Sequence, residues 1–125
     1  SGVGKANLFS AKDLKEKDEI LAMGIRSSKE KQYNILWQRW HKERIKKKII
    51  CKAIFSDKNT EYYKQFKKMK FIKLKVIEGI TPSAIDIMKD KVLIFTYGKE
   101  PSCLFIKNQE IAQSFTTFFN NLWSI

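Results

Sequence analysis

The segment from Tyr33 to Lys48 constrains the fold more than any other part of the chain. Tyr33, Leu36, Trp37, Trp40 and Arg44 recur at spacings of three and four, the period of one face of an amphipathic helix. Two short apolar runs flank it, Glu19-Ile20-Leu21-Ala22-Met23 and Ile49–Phe55. Both are too short for a buried helix and are bounded by breakers or charge, so they read as strands. A strand, a helix and a strand in that order predict two parallel strands joined by a right-handed crossover. Gly24 is expected to stop the first strand. Ser27-Ser28 offers an N-cap with Glu30 in the first turn, and Lys46–Lys48 suit the carbonyl end of the helix dipole.

Downstream the periodicity changes. Ser56–Thr60 reads as a turn with a cap, and Glu61–Lys68 as a short helix carrying Tyr62, Tyr63 and Phe66. Phe71, Leu74 and Val76 mark another strand, and Gly79–Pro82 break the chain. Ser83–Met88 and Lys91–Tyr97 form a hairpin about the tight turn Lys89-Asp90, and Ser102–Lys107 is a last strand. Asn108 caps a final helix whose face is marked by Ile111, Phe115, Phe118 and Leu122 and widened by Phe119 and Trp123. So apolar a helix is expected to be buried along much of its surface, partly in a homodimer that covers Phe119 and Trp123. The order β-α-β-α-β-β-β-β-α predicts an α/β fold, a mixed sheet with flanking helices, parallel early and antiparallel late. Residues 19–125 form one domain. Ser1-Gly2 reads as an expression scar, and residues 1–18 as tag and linker or a truncated N-terminal segment.

Composition narrows the function classes. Apolar residues make up 43% and charged residues 30% of the chain, which excludes a disordered polymer. No apolar run approaches the roughly 18 residues that span a bilayer, so no membrane association and a cytoplasmic location are expected. Cys51 and Cys103 sit in apolar runs and read as buried free thiols. No Cys-x-x-Cys exists and His41 is the only histidine, so neither a zinc site nor any other metal or cofactor is expected. No Gly-x-Ser-x-Gly elbow or phosphate-cradling glycine loop is present. His41 alone titrates near neutrality without perturbation, and it reads as a structural residue inside its helix. No catalytic residue is therefore assigned and the chain is not expected to be an enzyme. A third reading, a phosphodiesterase with a non-standard site, would have to use His41. The net charge of +12, from 25 Lys+Arg against 13 Asp+Glu, favours an anionic partner. One reading of it is a stand-alone nucleic-acid-binding domain using Arg39, Lys42, Arg44, Lys46, Lys47 and Lys48, with affinity that falls steeply with salt.

Three stretches in order carry a family resemblance. They are the helix Trp37-Gln38-Arg39-Trp40-His41-Lys42-Glu43-Arg44-Ile45-Lys46-Lys47-Lys48 running into an apolar strand, the strand–turn–strand from Pro82 to Ile94, and the closing segment from Ile106 to Trp123. Together they resemble the phospholipase-D-like effector domain of archaeal TrmB-type transcription regulators, over residues 19 to 125. The resemblance implies a phospholipase-D-like sheet. Active members of that fold carry His-x-Lys-x4-Asp, in which the His attacks phosphorus, the Lys holds the phosphate and the Asp orients the His. Aligned on the strand-to-strand turn, those positions fall at Pro82, Ala84 and Lys89, none of which can play its role. The implied function is a non-catalytic regulatory domain for ligand sensing and dimerisation, with DNA bound through a winged-helix domain outside these residues. Its effector would be a small molecule, a sugar or an anionic metabolite. Sheets of this kind bind ligands at the carboxyl ends of parallel strands. That places Gly24, Arg26, Ser27, Ser28, Ser56, Asp57 and Ser83 near the ligand, with Arg26 able to clamp an anionic group.

Overall fold

The computed structural model describes residues 14–25, 31–58, 60–79, 83–96 and 102–125, and of 31–36 the backbone. The elements follow the order read from the sequence: β1 (Glu19–Ile25), α1 (Lys31–Lys46), β2 (Ile50–Phe55), α2 (Glu61–Lys67), β3 (Ile72–Val76), β4 (Ala84–Met88), β5 (Lys91–Thr96), β6 (Ser102–Lys107) and α3 (Gln109–Trp123). The strands form one six-stranded mixed sheet in the order β3-β2-β1-β4-β5-β6. β1, β2 and β3 pair in parallel, as helical crossovers require. β4 pairs antiparallel with β1, β5 with β4, and β6 with β5.

Alternation along each strand sends its residues to two apolar layers. Ile20, Ala22, Cys51, Ala53, Phe55, Ala84, Met88, Leu93 and Phe95 meet Trp37 and Trp40 of α1 and Tyr62 and Phe66 of α2. Leu21, Met23, Ile54, Ile85, Ile87 and Val92 meet Ala112 and Phe119 of α3. The sheet is thus sandwiched between a two-helix face and a one-helix face. β4, with neighbours on both sides and helices over both faces, is buried at all five positions.

The caps expected before α2 and α3 form, and the Ser27-Ser28 cap expected before α1 lies outside the described residues. Thr60 accepts from the Tyr63 N–H through Oγ1 at 3.1 Å, and Asn108 from the Ile111 N–H through Oδ1 at 2.9 Å. Lys75 of β3 secures the far end of α3 by donating from Nζ to the carbonyls of Trp123 and Ile125.

Two local expectations need correction. Gly24 does not stop β1. The strand runs on to Ile25, and Gly24, at φ +70°, marks the bulge at which the pairing register shifts between Met23 and Ile25. Glycine reaches that conformation without strain, so an extra residue is accommodated and pairing resumes. The inward face of α3 is also rotated from the expected one. Ala112 and Phe119 are fully buried, whereas Ile111 and Phe118 are 39% and 46% exposed. Phe119 packs inside its own chain, stacked on Trp123 at 5.7 Å, and so is not available to a second copy.

Candidate ligand-binding site

Trp37, Trp40, His41 and Arg44 stand at i, i+3, i+4 and i+7 of α1, one stripe of the helix, and all four are buried. The rings interlock edge to face: Trp37 on Trp40 at 6.2 Å, Trp37 on Phe95 at 5.0 Å, Trp40 on His41 at 4.9 Å, and His41 on Phe66 at 4.6 Å. Beneath them the sheet offers small side chains, Ala22 on β1 and Ala84 on β4. The mismatch between large rings and small floor leaves a cavity of about 40 Å³, room for two or three waters.

Asp86 lies in that floor. It is paired with Ala22 on one side and Leu93 on the other, and shares the face of Ala84 and Met88. Burial pushes its carboxyl from 3.8 up to about 7. Opposite it, the Trp37 indole lines the same cavity, and its buried Nε1 has no hydrogen-bond partner among the described residues. The remaining titratable groups of the cavity are neutral. Burial pushes the Cys51 thiol up to about 12. Burial, reinforced by the Arg44 charge, holds His41 down at about 3.

His41 accepts a hydrogen bond on Nδ1 from Arg44 Nε at 3.1 Å. Its free lone pair is thereby occupied, so it is poorly placed to act as a base. Arg44 is 2% exposed. Its Nη1 donates to the carbonyls of Phe71 at 2.7 Å, Ile49 at 2.9 Å and Lys70 at 3.3 Å. One guanidinium fork therefore ties the end of α1, the start of β2 and the approach to β3. This removes Arg44 from the expected nucleic-acid contacts. Arg39, Lys42, Lys46, Lys47 and Lys48 are exposed.

The expected ligand residues distribute unevenly. Gly24, Ser56 and Ser83 come together at one sheet edge, at the ends of β1 and β2 and the start of β4, next to the cavity-lining Ile25 and Ala84. The Ser56 N–H donates to the Ile25 carbonyl at 3.4 Å, and the Ser56 hydroxyl is buried without a partner among the described residues. Asp57 is exposed. Arg26, Ser27 and Ser28 lie outside the described residues, as does Pro82. Of the other two positions aligned with the phosphodiesterase trio, Ala84 presents a methyl group to the cavity. Lys89 sits in the β4–β5 turn at φ +52°, ion-paired with Asp18 at 3.2 Å.

Of the residues expected at a ligand, Gly24, Ser56 and Ser83 lie beside the cavity; Asp86 in its floor was not among them. Asp86 had a signal: a carboxylate in the middle of Ala84-Ile85-Asp86-Ile87-Met88, which is costly in a strand buried on both faces. Among the described residues no cluster of three His, Cys, Asp or Glu side chains could hold a metal ion, and no helix is long and apolar enough to cross a membrane. No protein-family model matches the chain, and no curated protein matches it either.

Proposed function

We propose that this chain is a non-catalytic, ligand-sensing regulatory domain built on the phospholipase-D-like scaffold of TrmB-type transcription regulators. One observation carries the sensing part: a cavity between α1 and the central strands is lined by the Trp37 indole, whose buried N–H has no partner among the described residues, and has the buried Asp86 carboxyl in its floor. Buried polar groups are normally satisfied, and a cavity that leaves the Trp37 indole N–H without an acceptor suits a ligand that supplies one. The scaffold reading is supported by the mixed sheet with helices over both faces and by the methyl group of Ala84 where the resemblance puts the phosphate-holding lysine. Its non-catalytic character is supported by His41, whose lone pair is taken, and by Cys51, which stays a thiol. In this reading DNA is bound through a winged-helix domain outside these residues. A second copy of the chain packs on surface other than Phe119.

The cavity also bears on the effector. A carboxyl in its floor disfavours an anion, and about 40 Å³ is too little for a hexose, so the effector bound there is a smaller molecule. Thermal unfolding of the chain against a panel of small polar solutes tests the reading. A saturable rise in Tm that Asp86→Asn removes is expected; no shift with any solute would sink it.

The exposed cations favour a second reading. Arg39, Lys42 and Lys46 share one side of α1, and Lys64 and Lys68 extend the charge onto α2, which Gln38 joins through Gln65 at 3.3 Å. If this surface holds a nucleic-acid backbone, log affinity falls linearly with log salt, by about 0.9 per phosphate neutralised on a duplex. Triple replacement of Arg39, Lys42 and Lys46 by alanine lowers that slope. A slope unchanged by the replacement removes the reading.

A further inference from the structure

We infer that β6 and one flank of α3 form the surface on which a second copy of this chain docks, edge to edge, so that two sheets join into one; this rests on the dimeric part of the proposed function and names its surface. Exposed apolar side chains concentrate there. Of the six large hydrophobic residues exposed among those described, Leu104 and Phe105 lie on β6, and Ile111, Phe118 and Ile125 on α3 or just after it. The sixth, Phe71, stands ahead of β3 at the opposite edge of the sheet. Ile111, Phe115, Phe118 and Leu122 recur at spacings of four, three and four along one flank of α3. Trp123, on the other flank, meets Lys52, whose Nζ stands 5.8 Å from its ring centre.

β6 is apolar and exposed on both of its faces. Leu104, 57% exposed, lies opposite Ile94 on the α3 face, and Phe105, 38% exposed, lies opposite Leu93 on the α1 and α2 face. A partner laid over one face of the sheet would cover one of them and leave the other. An added strand covers both, because its side chains flank those of β6 above and below the sheet. The two edges of the sheet also differ in protection. β3 alternates its apolar residues with Lys73 and Lys75, charges of the kind that keep an edge from pairing, whereas β6 carries none before Lys107.

Charge identifies the occupant. A chain of net charge +12 repels its own copy. Residues 102–125 contain one of the 25 Lys and Arg residues, Lys107, and one of the 13 Asp and Glu residues, Glu110. This surface is a neutral window through which a like-charged copy can approach, while a nucleic acid or an acidic protein would be drawn to the lysine-rich remainder. A twofold axis perpendicular to the sheet sets β6 antiparallel to its copy. It keeps both copies of α3 on one face and puts Lys107 at opposite ends of the strand pair. One short strand and one helix flank make a small interface, so the dimer forms at micromolar rather than nanomolar concentration.

The test is sedimentation equilibrium of the whole chain from about 1 to 300 µM, at about 0.05 and 0.5 M salt. A reversible monomer–dimer equilibrium is expected, tightening severalfold at the higher salt, where self-repulsion is screened. Leu104→Lys gives β6 the protection that β3 has. It should weaken the dimer by about tenfold or more and leave the Tm of the dilute chain unchanged, since Leu104 is exposed. Phe71→Lys adds the same charge at the far edge and should change the dimer by less than about twofold. Hydrogen exchange reads the edge itself: the β6 amides that point away from β5 should be protected in the dimer and exchange freely in the monomer. A dimer that Leu104→Lys leaves intact would overturn the β6 assignment and leave dimerisation standing. Outward β6 amides protected in the monomer would mean that another segment of the chain covers the edge, and would overturn the assignment as well. A chain that stays monomeric at every concentration and salt would overturn both.

Discussion

Replacing Asp86 with asparagine is expected to uncover a pH dependence of folding that the native chain conceals. Two buried groups titrate in opposite senses. Burial lifts the Asp86 carboxyl from 3.8 to about 7, so across that interval the folded state keeps a proton that the unfolded state has released. Its contribution is complete below about pH 4 and is lost as pH rises towards 7. Burial and the Arg44 charge hold the His41 imidazole at about 3 instead of 6.5, so there the unfolded state keeps the proton. The contribution of His41 is complete above pH 6.5 and is lost as pH falls. Between about pH 4 and 6.5 each state binds one proton through this pair, and the two slopes cancel. In Asp86→Asn His41 acts alone. The folding equilibrium then strengthens about tenfold per pH unit, roughly 3 kcal/mol across the window. His41→Asn, which retains an acceptor for Arg44 Nε, should show the opposite slope. Urea denaturation at half-unit steps of pH reads both, with midpoints converted through a common m value. Asp18, held low first by the Lys15 backbone N–H, adds the same term to every variant and drops out of the differences. Parallel curves for the native chain and Asp86→Asn would refute the reasoning, because Asp86 would then carry the same charge folded and unfolded.

Other perturbations follow from the same packing. Arg44→Ala removes the guanidinium from the Ile49 carbonyl, leaves the Phe71 carbonyl with the Cys51 N–H, and empties a buried site, and should cost about 3–5 kcal/mol in urea denaturation. Arg44→Lys should recover little, since a single ammonium cannot reproduce the fork. On α3, Phe119→Ala should cost about 3–5 kcal/mol and Phe118→Ala less than about 1. Equal losses would mean that the helix face has been misassigned. Gly79, at φ +68° with open space where a Cβ would stand, should lose about 1 kcal/mol on replacement by alanine through backbone strain alone, measurable as a lower Tm.

Element order and caps were legible in the sequence because each depends on local periodicity or on one side chain, as at Thr60 and Asn108. The inward face of α3 was not. Six apolar residues between Ile111 and Trp123 offer two overlapping stripes, and the choice falls to Ala112, whose small side chain sits fully buried against the sheet and which a count of large residues passes over. Gly24 was ambiguous for a related reason: one glycine can end a strand or bulge it, and only the pairing of Ile25 with Phe55 decides. Arg44 carried a usable signal. It falls on the stripe of Trp37 and Trp40, so its burial was implied by spacing even though its charge suggested solvent. Asp86 was harder to see. Its cost depends on β4 being an interior strand covered on both faces, and strand order is set by long-range pairing that no local window contains.

The distribution of polarity across the sheet ties these observations to function. The layer under α3 is apolar throughout its buried set, from Leu21 and Met23 to Ala112 and Phe119. All four buried polar residues among those described, His41, Arg44, Asp86 and Lys91, belong to the layer under α1 and α2. A fold indifferent to function would gain by filling that layer with hydrocarbon, since burying a carboxyl with burial alone setting its acidity is unfavourable at neutral pH. On the proposed reading the two layers divide the work: the α3 side stabilises the sheet, which lets the α1 side keep a raised acidity, an indole N–H unpartnered among the described residues and unfilled space in one place. Departures from good packing that converge on a single cavity, rather than scatter, are what a binding site leaves in a core. The stability gained by Asp86→Asn above pH 7 would measure directly what the native chain gives up to keep that site.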